Sequence, residues 1–322
     1  MGENLNNLSS YVSASNFPVK LLHLGKEDIV DSESKKIKPL HIQIIPTNRC
    51  NSNCSWCSCS KVDRSIEMPI EEIKDCVDSF SKLGTKCLTI TGGGEPTLHK
   101  NFIEIIEYCN DLDLEIGLVT NGKLLFNNPK LLDSLNHSLK WLRLSITEDR
   151  PYPTRRIDDV CKQLPLVDIG ISFTINNLDD LALVRQVSMI CRDTKNITHA
   201  RFVQNILNPI DRFMFIAEDE CKKFSDKLIF QYRSAYTKGQ NPCLISFLKP
   251  VIDATGNIYP CCGTQYATDE TRLMPEKMSM GNWRDFIKMS YFDGSICKKC
   301  YYSNYNEILK YYIQDVVHER FV

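Results

Sequence analysis

Between about residue 38 and residue 238, short apolar runs alternate with segments of helical periodicity, and this alternation constrains the fold more than any other feature of the chain. Several of the runs are almost continuously apolar, which is typical of parallel strands covered on both faces. The predicted strands are His41–Ile45, Cys87–Thr91, Leu114–Thr120, Trp141–Ile146, Val167–Ile175 and Ala200–Gln204.

Helical patterns follow these strands, and the first begins directly after Pro69. Six strands, each followed by a helix, predict an α/β fold with a partial (β/α)6 TIM-like barrel, two units short of the complete barrel. Right-handed crossovers bring every strand-to-helix loop to one end, where the active sites of such barrels lie. The predicted helices are Ile70–Leu83, Phe102–Cys109, Pro129–Asn136, Arg155–Leu164, Leu183–Ile190 and Glu218–Lys227.

The alternation stops at Gly239-Gln240-Asn241-Pro242, a sequence typical of a break. We therefore predict an N-terminal extension over residues 1–37, a barrel over 38–238 and a small cysteine-rich β-hairpin/helix domain over 239–322. The elements predicted in the last part are a hairpin of Lys249–Asp253 and Asn257–Tyr259, a helix after Gly281-Asn282 and a helix over Asn306–His318.

Charge and hydropathy exclude several classes of protein. The net charge is −1 and 43% of the residues are hydrophobic, which excludes a disordered acidic chain, a collagen-like chain and a protein that mainly coats nucleic acid. No apolar run approaches the ~20 residues that cross a bilayer, and Met1–Ser15 lacks the order of a signal peptide. We predict a cytoplasmic protein with no membrane contact, and nucleic acid is a disfavoured partner unless a local basic groove binds it.

The chain has 15 cysteines, and this odd number rules out a complete set of internal disulfides. In a reducing compartment such a count indicates metal or redox chemistry. The cysteines that stand alone are predicted to be buried small apolar residues; they are Cys76, Cys87, Cys109, Cys161, Cys191 and Cys221.

A C-x3-C-x2-C motif of Cys50, Cys54 and Cys57 follows the first predicted strand. Three thiolates on one short loop do not complete a structural zinc site, which takes four protein ligands. They can bind three irons of a [4Fe–4S] cluster and leave the fourth iron open for a substrate or cofactor. Cys59, two residues further on, exceeds this pattern and is predicted to be a loop residue.

Two further features accompany this motif: Trp56 directly precedes the third cysteine, and Thr91-Gly92-Gly93-Gly94-Glu95-Pro96 ends the second strand. A glycine run alone is also consistent with a tight turn, but together these motifs make the chain similar to the radical S-adenosylmethionine (radical SAM) superfamily. The resemblance implies that Gly92, Gly93 and Gly94 lie along the methionine part of SAM, with Glu95 beside its ammonium group.

The resemblance also implies cofactor-binding roles for Asn121, Ser145 and Ser172, at the ends of strands three to five, although Ser in a strand is also often structural. It implies SAM and a [4Fe–4S] cluster as cofactors, flavodoxin or ferredoxin as reductant, and a 5′-deoxyadenosyl radical that abstracts hydrogen from the substrate.

A second cysteine cluster lies near the C-terminus. Its C-x12-G-x4-C part, from Cys243 to Cys261, resembles the twitch (abbreviated SPASM) extension that follows radical SAM barrels. This resemblance implies one auxiliary [4Fe–4S] cluster bound by Cys243, Cys261, Cys297 and Cys300, with Cys262 as an alternative to Cys261. Four cysteines also suit zinc, so a zinc site is the competing interpretation.

An auxiliary cluster with complete cysteine ligation favours electron transfer, and we therefore expect an oxidoreductase that oxidises the substrate radical. The alternatives are maturation of a ribosomal peptide by cross-linking or epimerisation, radical isomerisation of a small molecule or modified nucleotide, and a non-catalytic iron–sulfur scaffold or electron carrier. A cluster of three arginines follows the fourth strand: Arg150, Arg155 and Arg156. Two interpretations are open: the cluster binds a phosphate or carboxylate group, or it is an ordinary solvent-exposed charged face.

Overall fold

The computed structural model describes residues 19–146, 155–205, 207–232, 237–264 and 276–315. The strands are β1 His41–Ile44, β2 Cys87–Ile90, β3 Glu115–Thr120, β4 Trp141–Ile146, β5 Asp168–Ile175, β6 Ile197–Gln204, β7 Leu228–Gln231, β8 Val251–Ile252, β9 Asn257–Tyr259 and β10 Gly281–Asn282. The α-helices are α1 Lys26–Ile29, α2 Ile70–Lys82, α3 Phe102–Asp111, α4 Pro129–Ser138, α5 Arg155–Gln163, α6 Leu181–Asp193, α7 Asp211–Cys221, α8 Ile245–Leu248 and α9 Ser303–Ile313.

Strands β1 to β7 are parallel and lie side by side in chain order, with the helices between them. This confirms the predicted α/β partial barrel. Successive side chains of a strand point to opposite faces of the sheet, and this explains the packing. Ile42 and Ile44 of β1 are fully buried against the helical layer, which includes Val77 and Phe80 of α2. Amphipathic helices of this kind hold a parallel sheet because they cover its apolar outer face.

Two predictions near β7 were wrong: the start of the helix before it, and the absence of a seventh strand. The helix predicted over Glu218–Lys227 is α7, which begins at Asp211, and its buried residues Met214, Ala217 and Cys221 follow helical spacing. The seventh strand, Leu228–Gln231, was missed because it lies at the edge of the sheet and only Leu228 is buried, so its sequence carries no extended apolar run.

The predicted hairpin is present as β8 and β9, which pair antiparallel. Asp253 Oδ1 accepts hydrogen bonds from the backbone N–H groups of Thr255 and Asn257, at 2.9 and 3.0 Å, and Gly256 takes a φ of 82° that favours glycine. The segment after Asn282 is a 3-10 helix, Trp283–Lys288, and not an α-helix. The last helix, α9, begins at Ser303, three residues before the prediction, and residues 316–322 lie outside the described part of the chain.

The hairpin extends the barrel sheet, because β8 pairs parallel to β1 and β10 pairs with β9. The N-terminal residues also contribute to the fold: Leu21, Ile29 and Ile37 lie in the main hydrophobic core. Lys20 lies near Cys87 and Glu115, the first residues of β2 and β3, which places this segment at the amino end of the barrel. The boundaries at residues 37 and 238 stay predictions.

Five of the six isolated cysteines are buried as predicted, and Cys87 is half-buried. Within the described residues, we find no helix that is both long enough and apolar enough to cross a membrane.

The C-terminal segment packs on α2 through an aromatic cluster and a carboxylate. The ring of Phe286 lies 4.9 Å from that of Phe80 and 4.7 Å from that of Phe247. Glu72 accepts hydrogen bonds from Trp283 Nε1 at 3.2 Å and from Arg284 Nη1 at 2.8 Å. These contacts fix the position of the hairpin region against the barrel.

We predict that Phe286→Ala destabilises the protein by about 3–5 kcal/mol, because it leaves a cavity where a 3% exposed ring now packs. The neighbouring Ile287 is 67% exposed, so Ile287→Ala is the matched control and is expected to change stability by less than about 0.5 kcal/mol. Urea unfolding followed by circular dichroism measures both. Equal midpoints for the two variants would contradict this packing.

Candidate functional site

The loop between β1 and α2 carries the first cysteine cluster. Its two ends pair with each other: Asn48 N–H donates to the Ile66 carbonyl and Met68 N–H to the Pro46 carbonyl, both at 2.9 Å. Cys57 N–H closes a turn onto the Cys54 carbonyl at 3.1 Å. The loop is therefore a closed excursion at the carboxyl end of β1, where the barrel geometry predicted the active site.

Cys50, Cys54 and Cys57 are partly exposed on this loop and form no disulfide. Burial raises the pKa of Cys50, and the nearby charges of Glu95 and Cys57 raise it further. Cys59 differs from them: it is 6% exposed, and burial raises its pKa to about 12. The prediction that Cys59 is a loop residue outside the ligand set stays a prediction.

The glycine loop after β2 packs directly on the start of the cysteine loop. Gly94 N–H donates to the Thr47 carbonyl at 3.2 Å, and Glu95 N–H donates to the Arg49 carbonyl at 2.7 Å. A Cβ at Gly94 would lie 2.0 Å from the Arg49 carbonyl oxygen, a distance at which only glycine fits. The two motifs found in the sequence are therefore one structural unit.

Glu95 is 2% exposed, and both of its oxygens accept hydrogen bonds. Oε1 accepts from the hydroxyls of Thr97 at 2.7 Å and Thr120 at 2.6 Å, and Oε2 accepts from the Asn121 N–H at 2.7 Å. Burial raises the pKa of Glu95, and these hydrogen bonds lower it. The carboxylate thus connects the loops after β2 and β3, while its predicted contact with SAM stays a prediction.

Asn121 connects the loop after β3 to the cysteine loop. Its Nδ2 donates to Asn51 Oδ1 at 2.7 Å and to Ser52 Oγ at 3.2 Å. Lys123 Nζ donates to the Asn51 carbonyl at 2.6 Å. Sequence reasoning missed Thr97, Thr120, Asn51 and Lys123, although the polar run Thr120-Asn121-Gly122 at a strand end was the available signal.

The remaining predicted cofactor residues occupy the loop and the inner strands. Trp56 is half-buried on the cysteine loop. Ser145 of β4 and Ser172 of β5 stand opposite each other in the sheet register, and Ser172 is 9% exposed. The structure therefore brings the cysteine loop, the glycine loop and Asn121 into contact, with the two serines on neighbouring strands.

The second cysteine cluster lines a small cavity. Backbone hydrogen bonds join distant segments here: Gly239 N–H to the Cys297 carbonyl at 2.9 Å and Cys300 N–H to the Thr237 carbonyl at 2.7 Å. The cysteines that line the cavity are the four predicted ligands, Cys243, Cys261, Cys297 and Cys300.

Cys262 is directed elsewhere, with its Sγ 3.2 Å from the Tyr302 hydroxyl, so the geometry favours Cys261 over Cys262 as a ligand. Burial and the neighbouring Cys300 raise the pKa of Cys243 to about 12, and burial with Cys300 raises that of Cys297 to about 11. Thiols that raise one another's pKa in this way lie close together, and a metal group would replace their protons.

In the described ranges, no three Cys, His, Asp or Glu side chains are placed to hold a single metal ion. A cubane cluster binds each thiolate through a different iron, so its ligands stand further apart than those of one zinc ion. The four cysteines line one small cavity, and their binding of an auxiliary cluster stays a prediction.

The predicted arginine cluster is only partly visible. Arg150 lies outside the described residues. Arg156 Nη2 donates to the Phe126 carbonyl at 3.4 Å. Its predicted role in anion binding stays a prediction.

The segment that carries the cysteine loop is similar to a known family. Residues 44–164 match the family model of the radical SAM superfamily. This match covers less than half of the chain, so it shows similarity to that superfamily over these residues.

Curated relatives match over a limited segment. The GTP 3′,8-cyclase of Pasteurella multocida is 35% identical over 111 residues, 33% of this chain and 32% of that protein. The S-adenosylmethionine-dependent nucleotide dehydratase of Selenomonas ruminantium is 32% identical over 93 residues, 29% of this chain and 32% of that protein. The chain thus spans about a third of the length of these relatives.

Solved structures share the fold more widely. Streptococcus suis SuiB bound to S-adenosylmethionine superposes with a TM-score of 0.55 at 16% identity. The superposition covers 81% of this chain and 77% of the SuiB chain. The anSMEcpe structure with bound AdoMet and Kp18Cys peptide has a TM-score of 0.54 at 17% identity and covers 88% of this chain and 85% of its own. At these identities the likeness shows the fold alone.

We predict that Glu95→Gln lowers stability by about 1–3 kcal/mol, because the new NH2 group faces donors where a carboxylate oxygen now accepts. Thermal unfolding and iron content after anaerobic reconstitution measure the effect. The control is Glu107→Gln on the exposed face of α3. If both variants bind iron and unfold like the parent, Glu95 does not hold the loops together.

Proposed function

We propose that this protein is a radical SAM enzyme in which Cys50, Cys54 and Cys57 hold a [4Fe–4S] cluster. The observation that carries this is the contact of Gly94 and Glu95 with the carbonyls of Thr47 and Arg49. This contact supports the proposal, because it joins the glycine loop to the cysteine loop at the carboxyl end of the barrel. When bound, the cluster and SAM supply a 5′-deoxyadenosyl radical after one-electron reduction by flavodoxin or ferredoxin.

The chain's own residues position SAM in this proposal. The close-packed backbone of Gly92–Gly94 offers carbonyl oxygens to the ammonium group, since no side chain stands between them. Ser145 and Ser172 offer hydroxyls to the carboxylate or ribose, with Trp56 beside the cluster. Asn121 and Glu95 hold the three loops in one arrangement.

We further propose that residues 239–322 form a twitch-type domain whose Cys243, Cys261, Cys297 and Cys300 hold one auxiliary [4Fe–4S] cluster. Their shared cavity supports this. Four thiolates leave no open iron, which favours electron transfer over substrate ligation. The substrate would give a hydrogen atom to the deoxyadenosyl radical, an electron to the auxiliary cluster and a proton to a base, a two-electron oxidation.

Two other substrate types have support from relatives. The names GTP 3′,8-cyclase and nucleotide dehydratase favour a radical reaction on a nucleotide. Another structure of SuiB contains its precursor peptide SuiA. Its likeness to this chain is one of fold alone, and this likeness is the support for peptide maturation. Oxidation stays our first proposal because of the four-cysteine cavity.

We predict that the parent, incubated anaerobically with SAM and dithionite, releases 5′-deoxyadenosine slowly without substrate. The triple variant C50A/C54A/C57A is expected to release none, because the SAM-binding iron is lost. Liquid chromatography measures the product, and Cys221→Ala is the control. SAM cleavage by the triple variant at the parent rate would overturn the assignment, and a parent that binds both clusters without cleaving SAM would indicate a scaffold.

We predict that C297A/C300A loses about four irons per chain, whereas Cys262→Ala keeps them because its thiol faces Tyr302. Iron, sulfide and zinc analysis of the reconstituted proteins measures this. Zinc retained by the parent and lost in C297A/C300A, with iron unchanged, would favour the zinc interpretation.

A further inference from the structure

We infer that the inner face of the barrel carries an anion subsite, formed by Arg143 of β4 and Arg201 of β6, which binds a carboxylate or phosphate group of the substrate. This rests on the proposed function and deepens it, because it names the chemical class of the substrate.

The sheet register places these residues together. Arg143 stands opposite Gly170 of β5, and Gly170 stands opposite His199 of β6. Arg201 stands opposite Ser172, to which its Nη2 donates a hydrogen bond at 3.3 Å. Because side chains alternate along a strand, Arg143, His199 and Arg201 share one face of the sheet.

That face is the inside of the barrel. The residues of opposite alternation on the same strands, Leu142, Leu144, Ala200 and Phe202, are fully buried in the apolar core beneath the helices. Arg143 and Arg201 therefore project away from the helical layer into the lumen.

Gly170, on β5 between Arg143 and His199, leaves room for the His199 ring. A Cβ at Gly170 would lie 2.5 Å from Cε1 of His199, so the imidazole covers the glycine backbone. Burial, together with the charges of Arg201 and Arg143, lowers the pKa of His199 to about 3. The ring is neutral at pH 7 and adds a hydrogen-bonding group without adding charge.

Further cationic side chains lie near Arg143. Lys249 is 9% exposed, and the charges of Lys20 and Arg143 reach it. Glu115, the carboxylate that acts on Lys20, also pairs with Lys140 at 4.0 Å. In a chain of net charge −1, this is a local concentration of positive charge in a low-dielectric enclosure, where attraction for an anion is strong.

SAM also has a carboxylate, so the anion has two possible sources. Arg143 and His199 lie one row of inward residues closer to the amino end than Ser145 and Ser172, the predicted SAM contacts, whereas Arg201 lies in the row of the two serines. The depth of Arg143 favours the substrate as the source.

The test uses the reconstituted protein with inorganic phosphate as the probe, with and without saturating SAM, and calorimetry as the readout. We expect phosphate to bind in the presence of SAM, and R143Q/R201Q to raise its Kd about tenfold or more. R143K/R201K keeps the charge and is expected to restore part of the affinity. Lys140→Gln, on an exposed lysine, is the control and should bind phosphate like the parent.

Phosphate binding that is unchanged in R143Q/R201Q overturns the subsite. Competition between phosphate and SAM, with a matching rise in the SAM Kd of R143Q/R201Q, assigns the arginines to the SAM carboxylate and also overturns it. The proposed function is judged separately, by release of 5′-deoxyadenosine from the parent protein.

Discussion

The buried carboxylate of Glu95 is the interaction on which the arrangement of the candidate site depends. It accepts hydrogen bonds from both its own loop and the loop after β3, while the adjacent Gly94 packs on the cysteine loop after β1. Loops at the ends of parallel strands have no ladder of their own to align them. A desolvated charge satisfied by several donors provides this alignment, since any displacement leaves a buried polar group unpaired.

The second centre is built differently. Cys243 is more than 50 residues from Cys297 and Cys300 in the chain, and the three meet because backbone hydrogen bonds join residues 237–243 to residues 292–300. The segment is held on the barrel by apolar contact of Phe286 and by Glu72. The first centre is thus ordered by polar contacts within the barrel, and the second by long-range packing.

Much of the fold could be predicted from the sequence, because apolar periodicity directly reports which faces are buried. Strands β1 to β6 and helix α2 illustrate this. Strand β7 and the start of α7 could not be predicted, since short segments depend on the sheet edge that receives them. The cysteine motifs gave the two candidate centres, but the register that groups Arg143, His199 and Arg201 required the strand pairing. The engagement of Glu95 by Thr97, Thr120 and Asn121 also depends on tertiary contact, which no local pattern contains.

Strand β1 connects to both cysteine-rich regions. It leads into the first cysteine loop, and on its other edge it pairs with β8, where Gln43 N–H donates to the Pro250 carbonyl at 3.0 Å and Ile45 N–H to the Ile252 carbonyl at 2.9 Å. The backbone of β1 therefore supports both the first cysteine loop and the hairpin that leads to the second cysteine cluster. Their separation is set by the paired backbones of β1 and β8, so insertions elsewhere in the barrel can accumulate without altering the distance between the two cysteine clusters.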